Sequence, residues 1–204
     1  MSRSAFGDKD RPFPLAKEDG MRRACSTFLC AALLAAGAAP GAQAADLGGL
    51  IAPTGACPGQ SDLGAPAAEQ ERAMRCMTNF ARRHSGLRPL GRSAQLDRSA
   101  ARKSADMIRC DDFSHEACHR RFTYWMERVG YIDESECWRA AENIAWGSGG
   151  LGSVRAIFKA WINSSGHREN ILGSFAQVGI GLQVGKLERF GGARVWTQHF
   201  GAHC

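Results

Sequence analysis

The chain lacks any apolar stretch that could span a bilayer, because about 20 consecutive apolar residues are needed and no hydrophobic run is that long. It has no C-x-x-C motif, so a zinc ribbon is not indicated. Its Gly-rich stretch at 147–152 contains no lysine, so it does not match a phosphate-binding P-loop. What remains is a chain of 204 residues, 44% hydrophobic and 23% charged, which is typical of a globular protein.

The longest apolar run lies near the N-terminus and has the order of a secretory signal peptide. Met21 and two arginines begin a basic segment, residues 24–40 are apolar, and Ala42-Gln43-Ala44 is an A-x-A cleavage site. We therefore predict a signal peptide over 21–44, preceded by an extension over 1–20 that reflects a misassigned start. The mature protein is expected to begin at Ala45, to be secreted or periplasmic, and to have no transmembrane segment.

The charge of the mature chain argues against a nucleic-acid partner. The chain has 26 Lys and Arg and 20 Asp and Glu. Residues 1–44 contain 6 of the basic and 4 of the acidic residues, so the mature chain keeps 20 basic and 16 acidic residues and a net charge of +4. The basic residues alternate with acidic ones, whereas a nucleic-acid-binding protein gathers them on one face. We expect no nucleic-acid partner.

Six cysteines remain after the predicted signal peptide, and an even number in an oxidising compartment predicts three disulfides. Cys110 and Cys118 close a short loop and are the favoured pair. The pairs Cys57–Cys76 and Cys137–Cys204 follow by elimination.

Hydrophobic periodicity predicts four helices and about three strands after a flexible arm. Gly and Pro are frequent in the arm, at 45–67, and a domain over 68–204 follows. The helices are predicted at 68–85, 94–109 and 119–129, with a fourth that starts at Ser153. Strands are predicted at 143–146, 178–184 and 194–200, and the last two are expected to pair antiparallel. This order favours an α+β fold with helices covering a small antiparallel sheet.

Three polar residues lie beside these periodic segments, where functional groups are often found. They are His115, Glu142 and His167. Two imidazoles can bind Zn²⁺, and a carboxylate can ligate the ion, orient a histidine or act as a base. Spacing alone does not bring the three together, and separate surface or hydrogen-bonded histidines are the alternative.

Five segments resemble the CAP superfamily of cysteine-rich secretory, antigen 5 and pathogenesis-related proteins, whose module is also called the SCP domain. The resemblance is to the bacterial secreted members and spans about residues 74–201. The segments, in order, are 113–115, 141–147, 161–172, 178–181 and 196–201.

The resemblance implies an α-β-α sandwich with a small central antiparallel sheet, and an open cleft. That cleft often carries a His-Glu-Glu-His tetrad that binds a divalent metal. By motif match His115 is the first histidine, Glu142 the first glutamate and His167 the second histidine. Ser164 occupies the position of the remaining glutamate, so this chain departs from the full tetrad. Zinc at His115 and His167 and a base at Glu142 are the corresponding expectations.

Two other patterns near these residues suggest catalysis but lack the expected context. The run 115–119 matches the zinc-protease motif H-E-x-x-H, but it is flanked by charged residues and no third ligand follows at the expected spacing. Ser164 or Ser165 could form a nucleophile–base pair with His167, but neighbours in sequence rarely take that geometry and no nucleophile elbow is present.

The sequence therefore supports two functional hypotheses that use the cleft, and a third of purely structural or antagonistic action at a cell surface. The first is a non-catalytic binding module whose cleft holds a metal, a lipid or sterol, a cell-envelope component or a partner protein. The second is a metal-dependent, peptidase-like hydrolase that uses the same histidines. The missing glutamate favours binding, since a candidate base is absent.

Overall fold

The structure is a computed structural model that describes residues 47–133 and 137–203. The predicted extension, the predicted signal peptide and Cys204 lie outside these residues. The helices and strands are α1 (Ala67–His84), β1 (Gly91–Arg92), α2 (Ala94–Arg109), α3 (Tyr124–Arg128), β2 (Trp138–Gly147), α4 (Val154–Asn163), α5 (Ser165–Leu172), β3 (Gln177–Leu187) and β4 (Phe190–His203).

The strands form one sheet in the order β1-β3-β4-β2, which places β2 at an edge. The long strands β2, β3 and β4 pair antiparallel, and the two-residue strand β1 lies parallel to β3. Glu142 on β2 faces His199 on β4, and His199 in turn faces Gly179 on β3. This register lines up the polar residues that are described below.

Helices cover both faces of the sheet, as the α-β-α sandwich requires. Alternation along β3 turns Val178, Ile180 and Leu182 toward one face, where they pack in a core with the buried sides of α1, α4 and α5. Two smaller clusters, which include Met107 and Met126, form under α2 and α3 on the other face. No helix in the described ranges is both long and apolar enough to cross a membrane.

Glycines on β3 allow the backbone of α2 to pack directly against the backbone of the sheet. A Cβ atom on Gly179 would lie 2.0 Å from the backbone carbon of Leu96, and one on Gly181 would lie 2.3 Å from that of Ala100. Real Cβ atoms essentially never come this close, so a side chain at either position would push the helix away. The two glycines therefore fix how deeply the polar side chains of α2 reach into the sheet.

Three of the predicted helices are confirmed and one is shorter than predicted. Ser93 and Ser153 cap α2 and α4 by accepting hydrogen bonds from backbone N–H groups in the first turn. The helix predicted at 119–129 begins only at Tyr124, because Cys118 and His119 take positive φ angles that interrupt a helix. Helix α5 and strand β1 were not predicted, since α5 buries only Ile171 and β1 has two residues.

The segment predicted as a flexible arm packs against the body over the part that the structure describes. Leu50, Ala52 and Cys57 are buried in the main core. Cys57 is bonded to Cys76 of α1, which explains why the Gly/Pro-rich chain stays in place. The predicted Cys110–Cys118 disulfide is also present. Cys137 is disulfide-bonded as well, but its predicted partner Cys204 lies outside the described residues.

Removal of the Cys57–Cys76 bridge tests this anchoring. The bridge spans 19 residues of sequence, and closing a loop of that size stabilises a protein by about 3 kcal/mol in the chain-entropy description. The double variant Cys57→Ala/Cys76→Ala is expected to lose this amount in a urea unfolding experiment. A denaturation midpoint equal to that of the wild type would show that the N-terminal segment is held by packing alone.

Candidate functional site

Glu142 lies in the interior and is bound by two histidines, one to each carboxylate oxygen. Its side chain has no exposed surface. The Nδ1 of His115 lies 2.6 Å from Oε1, and the Nε2 of His199 lies 2.7 Å from Oε2. Because an ionised carboxylate only accepts hydrogen bonds, both ring nitrogens carry the proton. Glu142 thus orients a histidine of the chain segment after α2 and a histidine of the sheet at the same time.

Lys103 supplies the positive charge that keeps Glu142 ionised. Its ammonium lies 3.9 Å from Oε1 of Glu142, and its side chain is 3% exposed. Burial by itself would raise the pKa of Glu142, but Lys103 and the N–H groups of His115 and His199 outweigh it and lower the pKa to about 2. Burial lowers the pKa of Lys103, and the charge of Glu142 opposes that shift. Lys103 also donates to the backbone oxygen of His115 at 2.5 Å.

Ser99 completes this buried group on the other side of His199. Its Oγ lies 2.7 Å from Nδ1 of His199, and both residues are fully buried. In a neutral ring the Ser99 hydroxyl donates to Nδ1, while Nε2–H donates to Glu142. A continuous series of hydrogen bonds therefore runs from α2 through the sheet to the segment that carries His115. It joins Ser99, His199, Glu142 and His115 in that order.

The next residue of β2, Asn143, holds the second predicted histidine from the opposite face of the sheet. Its side-chain amide donates to the backbone oxygen of His167 at 3.1 Å and to Oε1 of Gln198 at 3.2 Å. Gln198 then donates to Thr78 of α1 at 2.8 Å. Asn170 donates to Oδ1 of Asn143 at 2.9 Å, so helix α5 is tied to β2 at two points.

The two predicted histidines are thus both attached to the edge strand β2, His115 on the face that α2 covers and His167 on the opposite face. Glu142 holds the ring of His115, and Asn143 holds the backbone of His167. Ser164 lies beside the second histidine, with its Oγ 2.9 Å from Nδ1 of His167. The turn into α5 brings them together, since Ser164 precedes its first residue. We call His115, Glu142, Asn143, Ser164 and His167 the edge site.

A zinc ion fits the described part of this site poorly. Both oxygens of Glu142 already accept hydrogen bonds in the interior. Within residues 47–133 and 137–203, no group of three His, Cys, Asp or Glu side chains is placed to hold a metal ion. An ion at His115 and His167 would therefore need a ligand from outside these residues, because structural and catalytic zinc sites use at least three protein ligands.

The H-E-x-x-H pattern at 115–119 does not form a zinc-protease helix. That motif needs both histidines on one face of an α-helix. Here Ala117–His119 is a single 3₁₀ turn, and both Cys118 and His119 have positive φ angles. His115 precedes the turn and binds Glu142, whereas His119 is exposed.

Sequence reasoning did not single out His199, Ser99 or Lys103. The sequence does contain a signal for Lys103. Lys103 lies on the side of α2 predicted to be buried, at helical spacing from Ala100 and Met107. A polar or charged residue at a core position requires a partner, because burying it unpaired is costly. The partner could not be named without the strand register.

Comparison with known proteins places this architecture in a family. A profile of the Cysteine-rich secretory protein family, CAP, matches residues 77–200. The protein YkwD of Bacillus subtilis is 34% identical over 126 residues, which are 61% of this chain and 44% of YkwD. The chain thus spans less than half the length of this relative.

A solved structure shows the same fold. An extracellular protein containing a SCP domain from Bacillus anthracis superposes with a TM-score of 0.50 and 23% identity, over 67% of this chain and 43% of that one. A cysteine-rich secretory protein of Staphylococcus aureus gives a TM-score of 0.46 and 20% identity, over 67% of this chain and 40% of that one. Because the family profile matches more than half of the residues, and the four-stranded sheet lies between helices as predicted, the chain belongs to the CAP family of cysteine-rich secretory proteins.

Proposed function

We propose that this protein is an exported CAP-domain protein that binds a polar component of the cell envelope at the edge site, without converting it chemically. The observation that carries the proposal is the double engagement of Glu142 in the interior. A general base or a zinc ligand needs a carboxylate oxygen that can reach the substrate or the ion. With Ser164 at the position of the family's second glutamate, the edge site supports binding better than hydrolysis.

The chemistry of the edge site favours a polar ligand over a lipid or sterol. The side chains of the site that are partly exposed are the imidazoles of His115 and His167 and the hydroxyl of Ser164, which recognise hydrogen-bonding groups. An apolar ligand needs a largely apolar lining. In the part of the chain that the structure describes, Val184 is the one large hydrophobic side chain that is well exposed, and it lies on β3 rather than on β2.

Export is supported by three independent features. The predicted signal peptide directs the chain out of the cytoplasm. Two disulfides join described residues, and such bonds persist in oxidising compartments. The B. anthracis protein with the same fold is described as extracellular. We therefore propose a secreted or periplasmic location.

Binding is tested by cosedimentation of the full chain, purified after export, with peptidoglycan sacculi. Anionic phosphatidylglycerol vesicles form a parallel arm. We expect binding to sacculi, and His115→Ala and His167→Ala should each weaken it about tenfold or more, the effect of losing one well-placed contact. His119→Ala is the matched control, since His119 is exposed in the same segment. Binding to vesicles alone, or to neither, would overturn the proposed ligand class.

Catalysis is tested on the metal-stripped protein. We expect no hydrolysis of ester, amide or phosphoester substrates with or without added Zn²⁺, and no zinc binding at one equivalent by calorimetry. Zinc-dependent turnover that disappears in His167→Ala would establish the hydrolase in place of the binding module.

A further inference from the structure

We propose that His199 is a positioning residue of the edge site: with Ser99 and Lys103, it holds Glu142 in place so that the ring of His115 keeps one orientation and one protonated nitrogen. This inference deepens the proposed function and rests on it only for the identity of the ligand. The contacts that carry it lie on one face of the sheet, under α2.

The strand register fixes the distance between His199 and Glu142. The two are cross-strand partners on β4 and β2, so their side chains leave the sheet on the same face. Their 2.7 Å contact therefore depends on the pairing of the two strands and not on a mobile loop. His115 lies outside the sheet, on the segment that follows α2.

Both nitrogens of His199 have buried partners, so the ring cannot turn without breaking a hydrogen bond. Nδ1 meets Ser99, and Nε2 meets Glu142. A histidine that binds a metal ion is commonly held in one orientation by a hydrogen bond from its other ring nitrogen. Here the fixed ring holds a carboxylate, and the carboxylate holds the histidine of the site.

Charged and titratable groups from three segments lie around Glu142 and Lys103. Helix α2 contributes Lys103 and Asp106, and β4 contributes His199. The segment after α2 contributes His115, Asp112 and Glu116. Lys103 is the cation in contact with Glu142, whereas Asp106 is bound by Arg109 and Arg120. The buried carboxylate is thus matched by one buried ammonium, and the two histidines add directional hydrogen bonds.

The test is NMR of the ¹⁵N-labelled, ligand-free protein, which reports the protonated nitrogen of each histidine. In the wild type we expect His115 to carry its proton on Nδ1 and this N–H to exchange slowly with water. His199→Phe should remove the second hydrogen bond of Glu142 and accelerate exchange of the His115 N–H roughly fivefold, the factor for one ordinary hydrogen bond. His199→Gln, whose amide can donate to Glu142, should restore slow exchange.

A second variant keeps the inference testable if His199→Phe does not fold. Ser99→Ala removes one hydroxyl, and exchange of the N–H protons of both His199 and His115 should again accelerate. His84→Gln, at the end of α1, is the control and should change neither signal. Unchanged exchange of the His115 N–H in a folded His199→Phe or Ser99→Ala protein would overturn the positioning role. Because no ligand is present, this result does not depend on whether sacculi bind.

Discussion

Replacing Gly181 or Gly179 by alanine is expected to lower the free energy of unfolding by at least about 3 kcal/mol, the upper part of the range for overpacked interiors. The added Cβ would meet the backbone of α2 at 2.0–2.3 Å. Backbone cannot move aside as a flexible side chain does, so the whole helix must shift. Urea unfolding monitored by circular dichroism measures the loss.

The control for this prediction is Gly191→Ala. A Cβ there would meet nothing within 4 Å, and its φ angle is not in the left-handed region. Its effect should stay within about 0.5 kcal/mol, as for ordinary surface positions. A Gly179→Ala protein as stable as Gly191→Ala would show that α2 can move off the sheet without cost.

Replacing Glu142 by alanine is the second change for which we expect a large loss, about 3–5 kcal/mol, because it removes one partner from a buried ion pair. Lys103 would keep a buried charge, and the N–H groups of His115 and His199 would lose their acceptor. Glu116→Ala, at an exposed position, is the control. A Glu142→Ala protein with the unfolding midpoint of the control would contradict the role of Glu142 as the centre of the buried group.

The same carboxylate predicts the direction of acid sensitivity. Its pKa is about 2 in the folded protein against the ordinary value of 4.5. Between these values the unfolded chain takes up the proton and the folded one does not, so stability falls as the pH falls from 4.5 to 2 and is fully present above 4.5. The contribution is about 3 kcal/mol. In Glu142→Gln this part of the pH dependence should disappear, and an unchanged acid transition would refute the assignment.

The elements with clear periodicity could be predicted from the sequence, and the contacts between them could not. Helix α2 was predicted at its observed bounds because its apolar residues recur at helical spacing. The alternation of Val178, Ile180 and Leu182 predicted β3. The spacing did not reveal that Gly179 and Gly181 serve as contact points for α2, since that depends on which face of the sheet the helix covers.

The edge site was predicted in part for the same reason. Motif resemblance identified His115, Glu142 and His167. It did not identify His199, which is joined to Glu142 only through the pairing of β2 with β4. Nor did it predict that Asn143 would hold the backbone of His167, because that contact crosses from a strand to a helix that the sequence left unassigned. Local patterns report residue types, whereas buried polar networks depend on register.

The Cys110–Cys118 bridge makes closure of the loop that carries His115 depend on oxidation of the chain. It closes the loop that carries His115, with one end directly after α2 and the other three residues beyond the histidine. A chain still in the reducing cytoplasm lacks this bond, so its His115 is tied to Glu142 by a hydrogen bond at the end of an open segment. Under the proposed export, the bond forms only after the chain leaves the cytoplasm, so the segment that carries His115 is closed into a loop only in the exported protein.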